Sequence, residues 1–204
     1  MFNSKNKPIP IQKIEDFSSQ FAKSTLSVLR EDKIHPIVSG NKFRKLKYNI
    51  KEAILQNKKG LLSFGGAYSN HIAALAAAGK EANLATIGII RGEELASKIE
   101  TNPTLSFAKQ NGMQLHFVSR EDYKKKHDFS IFEDFDEYLI LPEGGTNSLA
   151  VKGCEEILSE STKDYDYICV SVGTGGTISG IIEASLPHQH ILGFSALKGT
   201  FQEE

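Results

Sequence analysis

The sequence has little of several features that would each indicate a particular class of protein. Only two of its 204 residues are cysteine and none is tryptophan, and two cysteines are too few for a disulfide framework. Acidic and basic residues nearly balance, at 25 against 24, which argues against a nucleic acid as partner. No apolar run approaches the roughly 20 residues of a membrane span, and the start has no apolar segment typical of a signal peptide. We therefore expect a cytoplasmic globular protein that has no membrane contact.

What the sequence does contain is an alternation of apolar strand patterns and helix patterns. Strands are predicted at residues 60–64, 85–90, 115–118, 138–141, 167–172 and 191–194, and helices at 41–56, 69–81, 103–111, 149–159 and 178–185. This alternation predicts an α/β fold in which a parallel sheet is buried between helices. Ligands of such sheets bind at the carboxyl ends of the strands. The loops 65–70, 142–147 and 173–177 are therefore the candidate binding loops.

The most distinctive of these loops has the sequence GTGGT and joins an apolar strand to a helix. Its glycines let backbone amides approach a ligand closely, and the following helix adds its N-terminal amides. The loop is neither a Walker A motif nor a complete GxGxxG motif. We expect a phosphate-bearing cofactor to be held by Gly173, Thr174, Gly175, Gly176 and Thr177. The alternative is a tight turn that binds nothing.

Four cations lie close together at the start of the first long predicted helix, within residues 42–47. Ser39 and Asn41 are both candidate caps for this helix. Cations near a helix N-terminus oppose the helix dipole, so the cluster indicates a bound anion. A lysine with a lowered pKa in such a cluster can also act as the amine that forms a Schiff base. The alternative is a solvated basic helix face.

An anion-binding loop and an activated lysine together indicate pyridoxal 5′-phosphate as cofactor. Residues 40–46, GNKFRKL, resemble the GNKxRKL signature of the 1-aminocyclopropane-1-carboxylate deaminase/D-cysteine desulfhydrase family. These are fold-type II pyridoxal-phosphate enzymes, related to the tryptophan synthase β subunit. Residues 29–33, 63–71, 141–147 and 173–177 resemble further segments of that family in the same order.

The resemblance extends from about residue 8 to the end of the chain and implies an architecture. It implies three-layer parallel-sheet lobes of the tryptophan synthase β-like type. Residues 1–46 and 149–204 would form an incomplete large cofactor lobe, and residues 47–148 a small α/β lobe. Family members usually continue for roughly a further third of the chain, so we expect the C-terminal part, with the residue facing the pyridine nitrogen, to be missing. The family also implies a homodimer.

The resemblance also implies roles for two lysines. By position, Lys42 is the lysine that forms the Schiff base with the cofactor and moves the substrate proton. Lys45 is a further cation near the cofactor phosphate, which the GTGGT loop would hold.

Four consecutive residues, 68–71, begin in the 65–70 loop and match the substrate side of the family's site. Ser69 would lie at the substrate carboxylate and serve as an acid or base. Asn70 would contact the substrate and hydrogen-bond the 3′-oxygen of the cofactor. His71, at a position where the family varies, and Tyr68 are further substrate-binding candidates, with a packing role as the alternative for Tyr68. The histidines show no metal-ligand spacing, and we predict no metal site.

The implied activity is the conversion of a small amino acid, of the 1-aminocyclopropane-1-carboxylate or D-cysteine type, to a 2-oxo acid and ammonia. The sequence does not choose between deaminase and desulfhydrase. One alternative is a shortened homologue that binds the cofactor without catalysis. Another is a nucleotide-binding module, against which the incomplete GxGxxG motif counts.

Overall fold

The described chain, residues 8–15, 24–125 and 135–196 of this computed structural model, alternates between strands and helices. The strands are β1 (Ile11–Ile14), β2 (Leu26–Leu29), β3 (Gly60–Gly65), β4 (Ala85–Arg91), β5 (Gln114–Val118), β6 (Tyr138–Ile140), β7 (Tyr167–Val172) and β8 (His190–Ser195). The helices are α1 (Asn41–Leu55), α2 (Asn70–Ala82), α3 (Pro103–Gln110), α4 (Ser148–Glu155) and α5 (Gly176–Ala184). Every predicted strand and helix is present, and the antiparallel pair β1–β2 is additional to the prediction.

A parallel four-stranded sheet, in the order β5-β4-β3-β6, forms the centre of the main core. In its register Gly60 of β3 lies opposite both Ala85 and Tyr138. Every residue of β3 is buried. Leu61 packs into a core shared with α1, α2 and α3, whereas Phe64 packs on the other face of the sheet. The predicted α/β fold with a parallel sheet is therefore confirmed.

The strands β7 and β8 form a separate parallel pair that is far less buried. The sequence predicts a strand covered on both faces at 167–172, but β7 alternates between exposed and half-buried residues. Cys169 is exposed, and 62% of Tyr167 is exposed. The prediction of a buried strand is wrong because one face of β7 is left uncovered by the described part of the chain.

Close packing of three helices positions the two candidate phosphate-binding segments beside each other. A Cβ atom on Gly153 of α4 would lie 2.0 Å from the backbone oxygen of Arg44 in α1. A Cβ atom on Gly180 of α5 would lie 2.5 Å from the backbone oxygen of Val151 in α4. The two glycines therefore let α1, α4 and α5 approach more closely than any side chain would allow. This packing places the start of α1 next to the loop that precedes α5.

The ends of two helices differ from the predictions. Helix α1 begins after Gly40, whose φ of 60° and ψ of −147° suit glycine, and no side chain caps it. The predicted caps Ser39 and Asn41 are therefore wrong. Helix α4 ends at Glu155, several residues earlier than predicted.

The lobe division stays a prediction, and its boundary between residues 46 and 47 falls within α1. The longest described helix, α1, has 15 residues, and none of the described helices combines the length and apolar character needed to cross a bilayer.

We expect Gly153→Ala to destabilise the protein by about 1–3 kcal/mol or more, because the added methyl overlaps the backbone of α1. The change in urea unfolding free energy measures this effect. Gly66→Ala is the matched control, since its Cβ would have a single neighbour, the Arg91 guanidinium at 3.7 Å. Equal stability of the two variants would contradict the packing described for α1 and α4.

Candidate active site

The GTGGT loop connects β7 to α5 and forms one wall of the candidate site. Gly175 precedes the helix with a φ of 82°, a conformation that favours glycine. A Cβ atom on Gly176 would lie 2.7 Å from the Thr146 side chain and 3.0 Å from Lys45 Nζ. The amides of the first turn of a helix have no acceptor within the helix. The loop therefore offers backbone donors beside an amine, in a space that a side chain at 176 would fill.

The amine beside the loop belongs to a lysine that is almost completely buried. Only 2% of Lys45 is exposed. Its Nζ donates to Thr146 Oγ1 at 2.9 Å, to the backbone oxygen of Gly144 at 3.2 Å and to Thr174 Oγ1 at 3.4 Å. Burial, together with the charge of Lys42, lowers the pKa of Lys45 to about 8.

All three of these acceptors are neutral, and none of the described carboxylates forms an ion pair with Lys45. A buried cation without a counter-charge is costly. An anion bound at the loop would supply that counter-charge, so the donor set fits a phosphate group.

Lys42 lies one helical turn before Lys45 and faces a different space. It lines a cleft of about 420 Å³ together with Asn70, Gly40 and Phe107. Burial lowers the pKa of Lys42, as expected for an amine that must be partly uncharged to react.

The other two cations of the cluster are ion-paired and have a different role. Arg44 pairs with Glu31 at 2.7 Å and with Glu156 at 3.3 Å. Lys47 also pairs with Glu156, at 2.6 Å. Carboxylates therefore neutralise two of the four cations, and the bound anion stays a prediction for Lys42 and Lys45. Arg44 and Lys47 anchor α1 to α4 and to the segment before α1.

The candidate loop 65–70 leads from β3 into α2. Ser69 is the N-cap of α2, and its Oγ accepts a hydrogen bond from Ile72 N at 3.3 Å. Asn70, the first residue of the helix, is exposed and lines the cleft next to Lys42. Tyr68 is 74% exposed, which does not fit the packing role considered as an alternative.

His71 has a different environment from its neighbours in the loop. It is 2% exposed, and its Nε2 lies 2.9 Å from Ser63 Oγ. Burial, together with the charges of Lys42 and Lys45, lowers the pKa of His71 to about 3. This placement favours a role beneath the loop over the substrate contact that the sequence predicts.

Sequence reasoning missed several residues that shape the site. Thr146, which binds Lys45, lies in a candidate loop but received no role. Asn41 Nδ2 donates to Thr177 Oγ1 at 2.9 Å and thereby ties α1 to the GTGGT loop. Asn147 caps α4 and exchanges hydrogen bonds with Asn49. The partners of each pair are about a hundred residues or more apart, so local sequence patterns carry no signal for them.

We expect the stability of the protein to depend on the neutrality of His71. Its folded pKa lies below its unfolded pKa, so the unfolded chain binds the proton more tightly and stability falls as the pH drops from about 6.5 toward 3. This effect lowers the free energy of unfolding by about 3 kcal/mol between pH 7 and pH 4. The measurement compares unfolding free energies of the wild type and His71→Gln at both pH values. Parallel pH profiles of the two proteins would contradict the burial of a neutral His71.

Comparison with known proteins gives a consistent result. A family model described as pyridoxal-phosphate dependent enzyme matches residues 3–193. The chain is 30% identical over 187 residues to a putative 1-aminocyclopropane-1-carboxylate deaminase of Thermotoga maritima, with 86% of this chain and 58% of that protein covered. It is 31% identical over 175 residues to a mitochondrial bifunctional D-cysteine desulfhydrase/1-aminocyclopropane-1-carboxylate deaminase of Arabidopsis thaliana, with 76% and 44% covered. The chain thus spans about half the length of these curated relatives.

Solved structures share the same fold. The structure of an ACC deaminase homologue matches with a TM-score of 0.72 and 23% identity, over 87% of this chain and 56% of that one. Serine racemase from Dictyostelium discoideum matches with a TM-score of 0.73 and 16% identity, over 95% and 62%. The fold is therefore that of fold-type II pyridoxal-phosphate enzymes, and the chain belongs to the family of pyridoxal-phosphate dependent enzymes.

Proposed function

We propose that this chain binds pyridoxal phosphate between the start of α1 and the GTGGT loop and converts a small amino acid to a 2-oxo acid and ammonia. The observation that carries the proposal is the buried Lys45 ammonium, which lies beside the loop and has no carboxylate partner among the described residues. When bound, pyridoxal phosphate supplies an electron sink that weakens bonds at the α-carbon of an amino acid.

The phosphate end of the proposed site is formed by Lys45 and the loop of Gly173, Thr174, Gly175, Gly176 and Thr177. Lys45 supplies positive charge, and the loop supplies backbone amides at the start of α5. Thr177 is held in place by the Asn41 side chain. These residues would anchor and orient the cofactor and have no part in proton transfer.

The reacting end is formed by Lys42. Its lowered pKa makes an uncharged amine available closer to neutral pH than for an exposed lysine. An uncharged amine can bond to the aldehyde of the cofactor and can take up or return a proton at the substrate α-carbon. The cleft beside Lys42 gives a small amino acid access to this amine.

The substrate side is formed by Ser69 and Asn70 at the first turn of α2. The helix N-terminus favours a carboxylate at this position. Asn70 shares the cleft with Lys42, and we propose that its amide contacts the 3′-oxygen of the cofactor. Ser69 and the exposed Tyr68 would flank the substrate.

The substrate class rests on the names of the relatives. Both 1-aminocyclopropane-1-carboxylate and D-cysteine are small amino acids, and the proposal covers both. The homodimer and the cytoplasmic location expected from the sequence stay predictions.

We expect borohydride reduction of the protein with pyridoxal phosphate to attach the phosphopyridoxyl group to Lys42. Peptide mass spectrometry locates the adduct. Lys42→Ala should abolish it, whereas Lys51→Ala, which removes an exposed lysine of the same helix, should leave it unchanged. An adduct on another lysine of the folded wild type would refute the assignment. Formation of 2-oxo acid from either amino acid tests turnover, and an adduct without turnover supports the alternative of a cofactor-binding homologue without catalysis.

We expect Lys45→Ala to weaken binding of pyridoxal phosphate by about tenfold or more, because it removes a charged hydrogen-bond donor. Binding of pyridoxal, which has no phosphate, should be nearly unchanged. In the wild type the preference for the phosphorylated ligand should decline as the pH rises through about 8, where Lys45 loses its charge. Titrations with both ligands measure this ratio, and an equal loss for both would exclude Lys45 from the phosphate site.

A further inference from the structure

The hydrogen bonds around Ser63 indicate which ring nitrogen of His71 carries the hydrogen. Ser63 Oγ lies 2.9 Å from His71 Nε2, 3.1 Å from the backbone oxygen of Leu141 and 3.2 Å from that of Pro142. A hydroxyl carries one hydrogen, and the two carbonyls can only accept. We assign the hydroxyl hydrogen to a carbonyl and the ring hydrogen to Nε2, because the opposite assignment would leave a buried Nδ1–H without an acceptor among the described residues. The imidazole is held in one orientation, with a bare Nδ1 that has no partner among the described residues.

A proton-transfer role does not suit this histidine. Its pKa lies near 3 because of burial and the nearby charges of Lys42 and Lys45. A group that stays neutral throughout the physiological range is a poor acid and a poor base there. The ring is also separated from the cleft, whose lining includes Asn70 but excludes His71. The remaining role for such a residue is to hold other groups in place.

The group that His71 contacts is the short turn Glu143–Gly145 after β6. A Cβ atom on Gly145 would lie 2.4 Å from His71 Cε1, so the ring packs directly against the turn. Gly144 and Gly145 both have a φ of 70°. On the other side of the turn, Lys45 Nζ donates hydrogen bonds to the backbone oxygen of Gly144 and to Thr146 Oγ1. The turn is therefore enclosed between His71 and Lys45.

We propose that His71 is a positioning residue for the cofactor phosphate, which acts by holding the Gly144–Thr146 segment where it fixes the Lys45 ammonium at the GTGGT loop. This inference rests on the proposed function, because it assumes that the loop binds the phosphate. Ser63 completes the arrangement by orienting the ring. Without the ring, the turn can move into the vacated space, and Lys45 loses two of its three acceptors.

The test compares His71→Leu, which removes both ring nitrogens, with His71→Gln, whose amide can still donate to Ser63. His116→Leu on the edge strand β5 is the matched control. We expect His71→Leu to lower affinity for pyridoxal phosphate by about tenfold and to leave affinity for pyridoxal unchanged. His71→Gln should retain affinity within about threefold, and the control should match the wild type.

A second readout separates positioning from a general loss of stability. The preference for pyridoxal phosphate over pyridoxal should decline near pH 8 in the wild type, as Lys45 loses its proton. In His71→Leu this midpoint should move to higher pH, because a less confined Lys45 returns toward its ordinary pKa. Lys42 and Cys154, whose charges also act on Lys45, are present in all variants.

The outcomes are distinguishable. If the wild type forms no reducible adduct on Lys42, the proposed function fails whatever the variants do. If the wild type forms the adduct, and folded His71→Leu keeps both the ligand preference and the midpoint, the positioning role is refuted and the proposed function stands. If His71→Leu fails to fold, Ser63→Ala provides the test. A reduced preference of this variant for pyridoxal phosphate over pyridoxal supports the inference, and an unchanged preference refutes it.

Discussion

The structure of the candidate site depends on burying one ammonium group to which the described residues supply no counter-charge. Lys45 satisfies its three N–H donors with neutral oxygens from the Glu143–Gly145 turn, Thr146 and Thr174. Hydrogen bonding is complete, but the charge is not compensated, and the lowered pKa of Lys45 expresses that cost. An anion bound in the functional state would offset this cost. The loop amides beside Lys45 supply the further donors that a phosphate needs.

The cations of helix α1 lie in two different environments. Lys42 and Lys45 face the site, while Arg44 and Lys47 pair with Glu31 and Glu156. The ion pairs hold α1 in a rotation that places Lys45 beside the loop and Lys42 in the neighbouring cleft. Two glycines in α4 and α5 reduce the helix separations and bring the loop within reach.

Local patterns predicted the parts of this arrangement that depend on neighbours in sequence. The alternation of strands and helices predicted the parallel sheet, and the GTGGT and GNKFRKL segments, predicted as cofactor-binding, lie beside each other in the candidate site. Long-range pairings could not be predicted in this way. The Arg44–Glu156 ion pair and the Asn41–Thr177 hydrogen bond each join residues more than a hundred positions apart. The burial of His71 was missed for the same reason, since it depends on β3 and on the turn after β6. The apolar pattern of β7 was misleading, because it does not reveal whether a strand has neighbours on both faces.

The central claim, that Lys45 is an uncompensated cation at a phosphate site, is tested most directly by proton uptake on ligand binding. Pyridoxine 5′-phosphate carries the phosphate but no aldehyde, so it leaves Lys42 unmodified. Calorimetric titration at pH 8 in buffers of different ionisation enthalpy measures the protons exchanged. With a free pKa of about 8, Lys45 is about half protonated at this pH, and a bound phosphate that raises its pKa should cause uptake of up to about half a proton per site. Binding without proton uptake, or the same uptake in Lys45→Ala, would contradict the account.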